Sequence, residues 1–155
     1  MKAAFYLLVI IGIAYPCCSY GASYWQTQGH TATTSKTYDG FYMVFVVDWD
    51  PSSACKPSVG LIMTKDSSLG TYVSSKRSVT DMRVRVGGEV WSDTTMLVTY
   101  TNGVESMMYA PMSLIDKMKR SITSYVEVLF NKLPNAEFSL EGASSAIELA
   151  RTACR

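Results

Sequence analysis

The stretch FYMVFVVDWDPSSACKPSVGLIMT, residues 41–64, decides the fold. Residues 41–49 are a continuous run of aromatic and β-branched side chains, the composition of a buried strand. DPSSACKPS then interrupts it with two prolines and three serines, which punctuate a chain strongly. Residues 59–64, VGLIMT, return as a second apolar run. Strand, breaker and strand predict a β-hairpin, with Cys55 at or near its tip.

Working outward, the same logic reads most of the chain as β. DMRVRVGG, residues 81–88, alternates Met82, Val84 and Val86 on one face with Arg83 and Arg85 on the other, the period-two mark of a half-buried strand. Gly87-Gly88 reads as a turn. TTMLVTYTNGVESMMYAP, residues 94–111, places Asn102-Gly103 between two apolar runs, a hairpin signal, and Pro111 ends it. DSSLG reads as a turn, and TYVSS, residues 71–75, as a short strand. By contrast, residues 22–38 are polar, and HTATTSKTYDG reads as a loop.

The C-terminal third changes period. Leu114, Ile115, Met118 and Ile122 share one side at helical spacing. Ser113 is placed to cap that helix, with Asp116 in its first turn and Lys119 and Arg120 near its end, as the helix dipole favours. Val126, Val128 and Phe130 then share a strand face, and Ala136, Phe138 and Leu140 share another after Leu133-Pro134-Asn135. The final segment carries a stripe of Ala143, Ala146, Ile147, Ala150 and Cys154, and Ser145 with Glu148 matches a capping box. A face of such small side chains can lie close against a sheet. The expected fold is mainly β with α additions: an antiparallel β-sandwich or a strongly twisted sheet, with a short helix near 113–122 and a C-terminal helix near 143–153.

Composition bounds the function. With 155 residues the chain suits one domain of ordinary size, and 14 Lys plus Arg balance 13 Asp plus Glu. No basic excess marks a nucleic-acid partner. Lys2 followed by the apolar run AAFYLLVIIGIAYP and small residues reads as a signal peptide, residues 1–21, with cleavage favoured after Gly21. The run is shorter than the roughly 20 residues that a spanning helix needs. An uncleaved anchor is the alternative. Residues 22–155 then form one exported β-rich domain, periplasmic or secreted, with no stable membrane span after processing. Cleavage removes Cys17 and Cys18 and leaves Cys55 and Cys154, which allow one intramolecular connectivity. A Cys55–Cys154 disulfide is therefore expected.

The segment FSLEGASSAIELARTAC, residues 138–154, resembles the end of the invasion-associated locus B family and similar bacterial exported β-sandwich proteins. The matching positions are Phe138, Leu140, Gly142, Ala143, Ala146 and Cys154. The hairpin DWDPSSACKPSVGLIM is similar to that family's early strand–cysteine–strand unit, with Trp49 and Cys55 in the matching roles. The resemblance covers about the last 45 residues plus residues 41–64. It implies an exported, non-enzymatic β domain with a stapled C-terminus, and it brings no catalytic residues.

The chemistry is sparse. His30 is the single histidine; as a general base it would need an orienting carboxylate such as Asp39 or Asp48 and a serine that nothing in the spacing selects. Asp48, Asp50 and Ser52 alternate as in a calcium loop, but Ser53 and Val59 stand where a glycine and a glutamate are required. No metal, cofactor or catalytic residue is assigned. Arg83, Arg85, Lys76 and Arg77 read as a solvated strand face. Two readings follow. One is an exported non-enzymatic binding protein of the bacterial envelope, an accessory factor, inhibitor or immunity type, whose partner is another protein of the envelope or extracellular space. The other is a small secreted hydrolase using His30. For the first, loop 48–58 is the expected partner-facing surface, through Asp48, Trp49, Asp50 and Lys56. The competing reading turns Trp49 into the core.

Overall fold

The computed structural model of the chain describes residues 24–65, 76–121, 125–130 and 135–154. The signal peptide assigned to residues 1–21, the strand expected at 71–75, Ile122 and the Leu133-Pro134 turn lie outside the described residues.

Nine strands and two helices follow one another in the described residues. They are β1 (Gln26–Gln28), β2 (Thr31–Tyr38), β3 (Phe41–Asp50), β4 (Lys56–Thr64), β5 (Lys76–Val86), β6 (Glu89–Thr99), β7 (Gly103–Tyr109), α1 (Met112–Arg120), β8 (Tyr125–Phe130), β9 (Ala136–Ser139) and α2 (Ala143–Ala153). All strands join one antiparallel sheet in the order β1-β2-β3-β4-β7-β6-β5-β8-β9. The expected hairpins form. β3 pairs β4 from Tyr42–Thr64 to Asp50–Lys56, and β5 pairs β6 around Gly87 and Gly88, both with positive φ as a tight two-residue turn requires. β7 returns from β6 beyond Asn102 and closes the meander onto β4.

The sheet is a single strongly curled layer, the second of the two expected forms. Phe45 of β3 stacks on Phe138 of β9 with ring centroids 5.7 Å apart, although five strands separate them in the sheet order. The curl thus brings the β9 edge back towards β2. Among the described residues no backbone ladder closes the gap. Instead the Trp25 indole, just before β1, donates to the Ser139 carbonyl of β9 at 2.8 Å and packs edge-on against Phe45. α2 lies over the same seam, against β1, β2 and β3, with α1 beside it. Its stripe of Ala143, Ala146, Ile147, Ala150 and Cys154 is buried as the periodicity predicts. Thr27 of β1 donates to the Ala146 carbonyl at 3.1 Å, an approach that small side chains permit.

Inside the curl sit Met43, Phe45, Val47 and Trp49 from β3, Val59, Leu61 and Met63 from β4, and Met82, Val84 and Val86 from β5. The helices add Leu114, Ile115, Met118 and Ile147. On the opposite face of β3 and β4, Val44, Val46 and Ile62 form a smaller cluster with Tyr42 and Met107. β4 is tight here. A Cβ on Gly60 would lie 1.9 Å from the Met107 sulfur and 2.6 Å from the Ser106 carbonyl oxygen, so the glycine lets β7 approach.

Three local expectations need correction. Most of the polar run 26–38 is not loop but β1 and β2, because β3 offers a complete ladder from Thr31–Asp48 to Tyr38–Phe41 and tertiary pairing outweighs weak local propensity. Ser113 does not cap α1: the helix begins one residue earlier, behind Pro111, and the Ser113 hydroxyl instead accepts from the Trp91 indole at 3.2 Å. That earlier start leaves Asp116 past the first turn. Ser145 and Glu148 form no capping box. α2 starts after Gly142, at φ 82°, and Glu148 turns outward to Lys119 at 2.7 Å and Arg151 at 2.8 Å.

Candidate functional site

The tip of the β3–β4 hairpin is fixed by a capped turn and a disulfide. Asp50 ends β3 with an extended backbone, and its carboxylate accepts from the Ser52 backbone at 2.8 Å and the Ser52 hydroxyl at 2.6 Å. This caps a 3₁₀ turn, Pro51–Ser53, which opens on proline and so begins with a fixed φ. Ala54 and Cys55 both take positive φ, 58° and 55°, and reverse the chain into β4. Cys55 N–H returns to the Asp50 carbonyl at 3.0 Å, and Ser53 Oγ donates to the same oxygen at 3.0 Å. The Ser52 hydrogen bonds, with a smaller attraction from His30, hold the Asp50 carboxyl below the ordinary carboxylate pKa.

The expected disulfide is present. Cys55 and Cys154 are bonded with Cα atoms 5.9 Å apart, inside the range that a bridge needs. The bond ties the tip to the end of α2 across 99 residues of sequence.

The structure divides the four residues expected to face a partner. Trp49 is 3% exposed and lies in the main core. Its position follows from the strand period: Met43, Phe45, Val47 and Trp49 share the inward face. Its indole nitrogen has no hydrogen-bond partner among the described residues, as fits a ring packed among apolar groups. Asp48, 7% exposed, points to the other face and is enclosed by its neighbours. Both are corrected from partner-facing to internal roles. Asp50 is half-buried, and its carboxylate is committed to the turn. Lys56 is exposed, as are Pro51, Ser52 and Ala54. The accessible tip is therefore small and mostly uncharged, with Lys56 beside it.

A feature that the sequence offered only as an alternative lies on the flank of the tip. Asp48 Oδ1 meets His30 Nδ1 at 2.9 Å and accepts from the Thr31 hydroxyl at 2.6 Å. The β2–β3 register pairs Thr31 with Asp48 directly, while the Trp49 N–H donates to the His30 carbonyl at 3.0 Å and fixes the turn that carries His30. The imidazole side chain is 41% exposed. A carboxylate hydrogen-bonded to one ring nitrogen holds the imidazole in one orientation. Asp48 is the orienting group and Asp39 is not; Asp39 sits at positive φ in the β2–β3 turn. No hydroxyl or thiol of the described residues hydrogen-bonds the second ring nitrogen.

Elsewhere the described surface carries shallow grooves, two of which are well defined. One runs between Lys119 on α1 and Ser145, Glu148 and Leu149 on α2; the other lies over Asp81, Arg83, Ser92 and Thr94. Neither reaches the tip. Among the described residues, no group of three or more His, Cys, Asp or Glu is placed to hold a metal ion, and no helix is long and apolar enough to cross a membrane. Compared with protein-family models, curated proteins and solved structures, the chain matches none.

Proposed function

We propose that this chain is an exported, disulfide-stapled binding protein of the bacterial envelope, non-enzymatic and of accessory-factor, inhibitor or immunity type. It would act in the periplasm or outside the cell, on another protein. One observation carries the reading: the β3–β4 tip is held by a capped 3₁₀ turn, two left-handed residues and the Cys55–Cys154 bond at once. A loop ordered before binding loses little entropy on binding, which is where much of the cost of association lies. The leader and the resemblance of the C-terminal segment to exported β domains support the compartment. The contact surface is revised to Pro51, Ser52, Ala54 and Lys56, with His30 on its flank. A photo-crosslinking residue at position 52 or 56 should yield a discrete adduct in intact cells, and the same residue at the exposed Glu137 should not. No adduct from the tip, or equal adducts from both places, ends the proposal.

The His30–Asp48 pair favours a second reading, the small secreted hydrolase using His30. Turnover of simple esters by the purified protein, abolished in His30→Gln at unchanged melting temperature, would favour that reading over the first.

A further inference from the structure

β6 pairs with β5 from Glu89 to Thr99, yet it pairs with β7 only from Leu97 to Thr99. Two hydroxyls end the shorter ladder. Its next rung would join Met96 to Met107 through the carbonyl of each. Instead the Ser106 hydroxyl donates to the Met96 carbonyl at 3.1 Å, and the Thr95 hydroxyl donates to the Met107 carbonyl. Beyond that point β7 continues along β4 to Tyr109 and leads through Pro111 into α1, without β6.

Strand parity tells which groups are left over. Residues of an antiparallel strand direct their N–H and C=O alternately to one neighbour and to the other. The two-residue turn at Gly87-Gly88 closes on the Val86–Glu89 pair, so the odd-numbered residues of β6 bond to β5. Tyr100 N–H donates to the Gly103 carbonyl at 2.7 Å, so the even-numbered residues face β7. Val90, Ser92 and Thr94 therefore present their N–H and C=O groups to an edge that no strand of the described residues occupies. All three are exposed. Natural edges are blunted by lysine, proline or a bulge, but VWSDTTM, residues 90–96, holds neither lysine nor proline. The charge it does hold is Asp93, exposed and on the same face as Trp91. Among the described residues Asp93 has no ion pair and no side-chain hydrogen bond.

We propose that the β6 edge from Val90 to Thr94 takes up an extended segment of another protein as an added antiparallel strand, with a basic side chain opposite Asp93. Five residues span roughly 17 Å, the length of an ordinary short strand. In such an addition the main-chain hydrogen bonds give affinity and alternate side chains give selectivity. A lysine or arginine opposite Asp93 shares its face and meets an unpaired carboxylate. Residues opposite Val90, Ser92 and Thr94 lie on the other face, where an aliphatic side chain can cover Val90, 50% exposed. A second copy suits the edge less well. Paired about Ser92, it would set Trp91 against Asp93 and leave the two Asp93 carboxylates diagonal on one face with no base between them. The inference does not rest on the function proposed above, whose surface is the β3–β4 tip.

A capped hexapeptide of alternating lysine and valine, titrated to a few millimolar, is the probe, with amide exchange and chemical shifts as the readout. In the free protein the amides of Val90, Ser92 and Thr94 should exchange fast and those of Trp91 and Asp93 slowly. The peptide should shift and protect the three even-numbered amides. N-methylation of its valines, whose N–H groups face β6 in this pairing, should weaken binding at least tenfold; N-methylation of its lysines should not. Asp93→Lys, at unchanged melting temperature, should reverse the preference in favour of a peptide of alternating glutamate and valine. No protection of Val90, Ser92 and Thr94 by the lysine peptide overturns the proposal, as does an equal loss from the two methylated forms. Protection of these amides that rises with protein concentration alone also overturns it, and assigns the edge to a second copy.

Discussion

Removing the disulfide tests the architecture most directly. In the double variant Cys55→Ser, Cys154→Ser the unfolded chain regains the freedom of a loop whose ends are 99 residues apart. The chain-entropy relation puts that at roughly 4.7 kcal/mol, and losses of native bridges from small secreted domains usually fall within about 2–5 kcal/mol. Unfolding entropy near the midpoint is about 2.1 cal/mol/K per residue, or about 0.27 kcal/mol/K for the roughly 130 residues of the folded unit. The melting temperature should therefore fall by about 7–17 °C. Denaturant titration should give the same loss at an unchanged m-value if the native surface is intact. There is also a local consequence. The Ala54 and Cys55 amides, bonded to Pro51 and Asp50, should exchange faster, while amides of the β5–β6 ladder keep their protection relative to global stability. A loss below about 1 kcal/mol, or a tip as protected as before, would show that the cap and the left-handed residues hold the hairpin without the bond.

The burial of Trp49 predicts a contrast. Trp49→Ala should cost about 3–5 kcal/mol by denaturant titration, whereas Trp49→Phe should cost far less, because the indole N–H has no partner to lose. Equal costs would contradict the packing described here. Asp50 links the tip to pH: its folded pKa lies below the unfolded value near 3.9, so its contribution is complete above about pH 5 and disappears as pH falls through the folded pKa. The stability gap between wild type and Asp50→Asn should accordingly be constant from neutrality to about pH 5 and close in stronger acid. A gap that widens on acidification would mean that the carboxylate does not act through Ser52.

The strands that showed themselves in sequence are those whose two faces differ, or those buried on both. β5 alternates Met82, Val84 and Val86 with arginines, and β3 and β4 bury both faces in their centres, so composition alone marks them. β2 was not legible. Its buried positions are Thr31, which donates to Asp48 on the outer face, and Ala32 and Thr34, which pair with the inward Val47 and Phe45; all three are small or polar and make no hydrophobic stripe. The disulfide was legible from arithmetic, once Cys17 and Cys18 were assigned to the expected leader. The misplacement of Trp49 was avoidable, since counting by two from Phe45 turns it inward. The meeting of His30 with Asp48 depends on which residues of β2 and β3 are paired, and register between a polar strand and an apolar one is not written in either strand alone. The crossing of β4 to β7 likewise belongs to the sheet as a whole.

The long span of the disulfide also imposes an order in time. Cys154 lies 99 positions beyond Cys55, whereas the hairpin joins near neighbours, and a hairpin forms within about 1–10 μs. β3 and β4 can therefore pair, and Asp50 can shape the turn, before the fold brings Cys154 to Cys55. The covalent bond cannot guide the hairpin into register; it can only record a geometry that the chain has already found, and lock it when the last helix arrives.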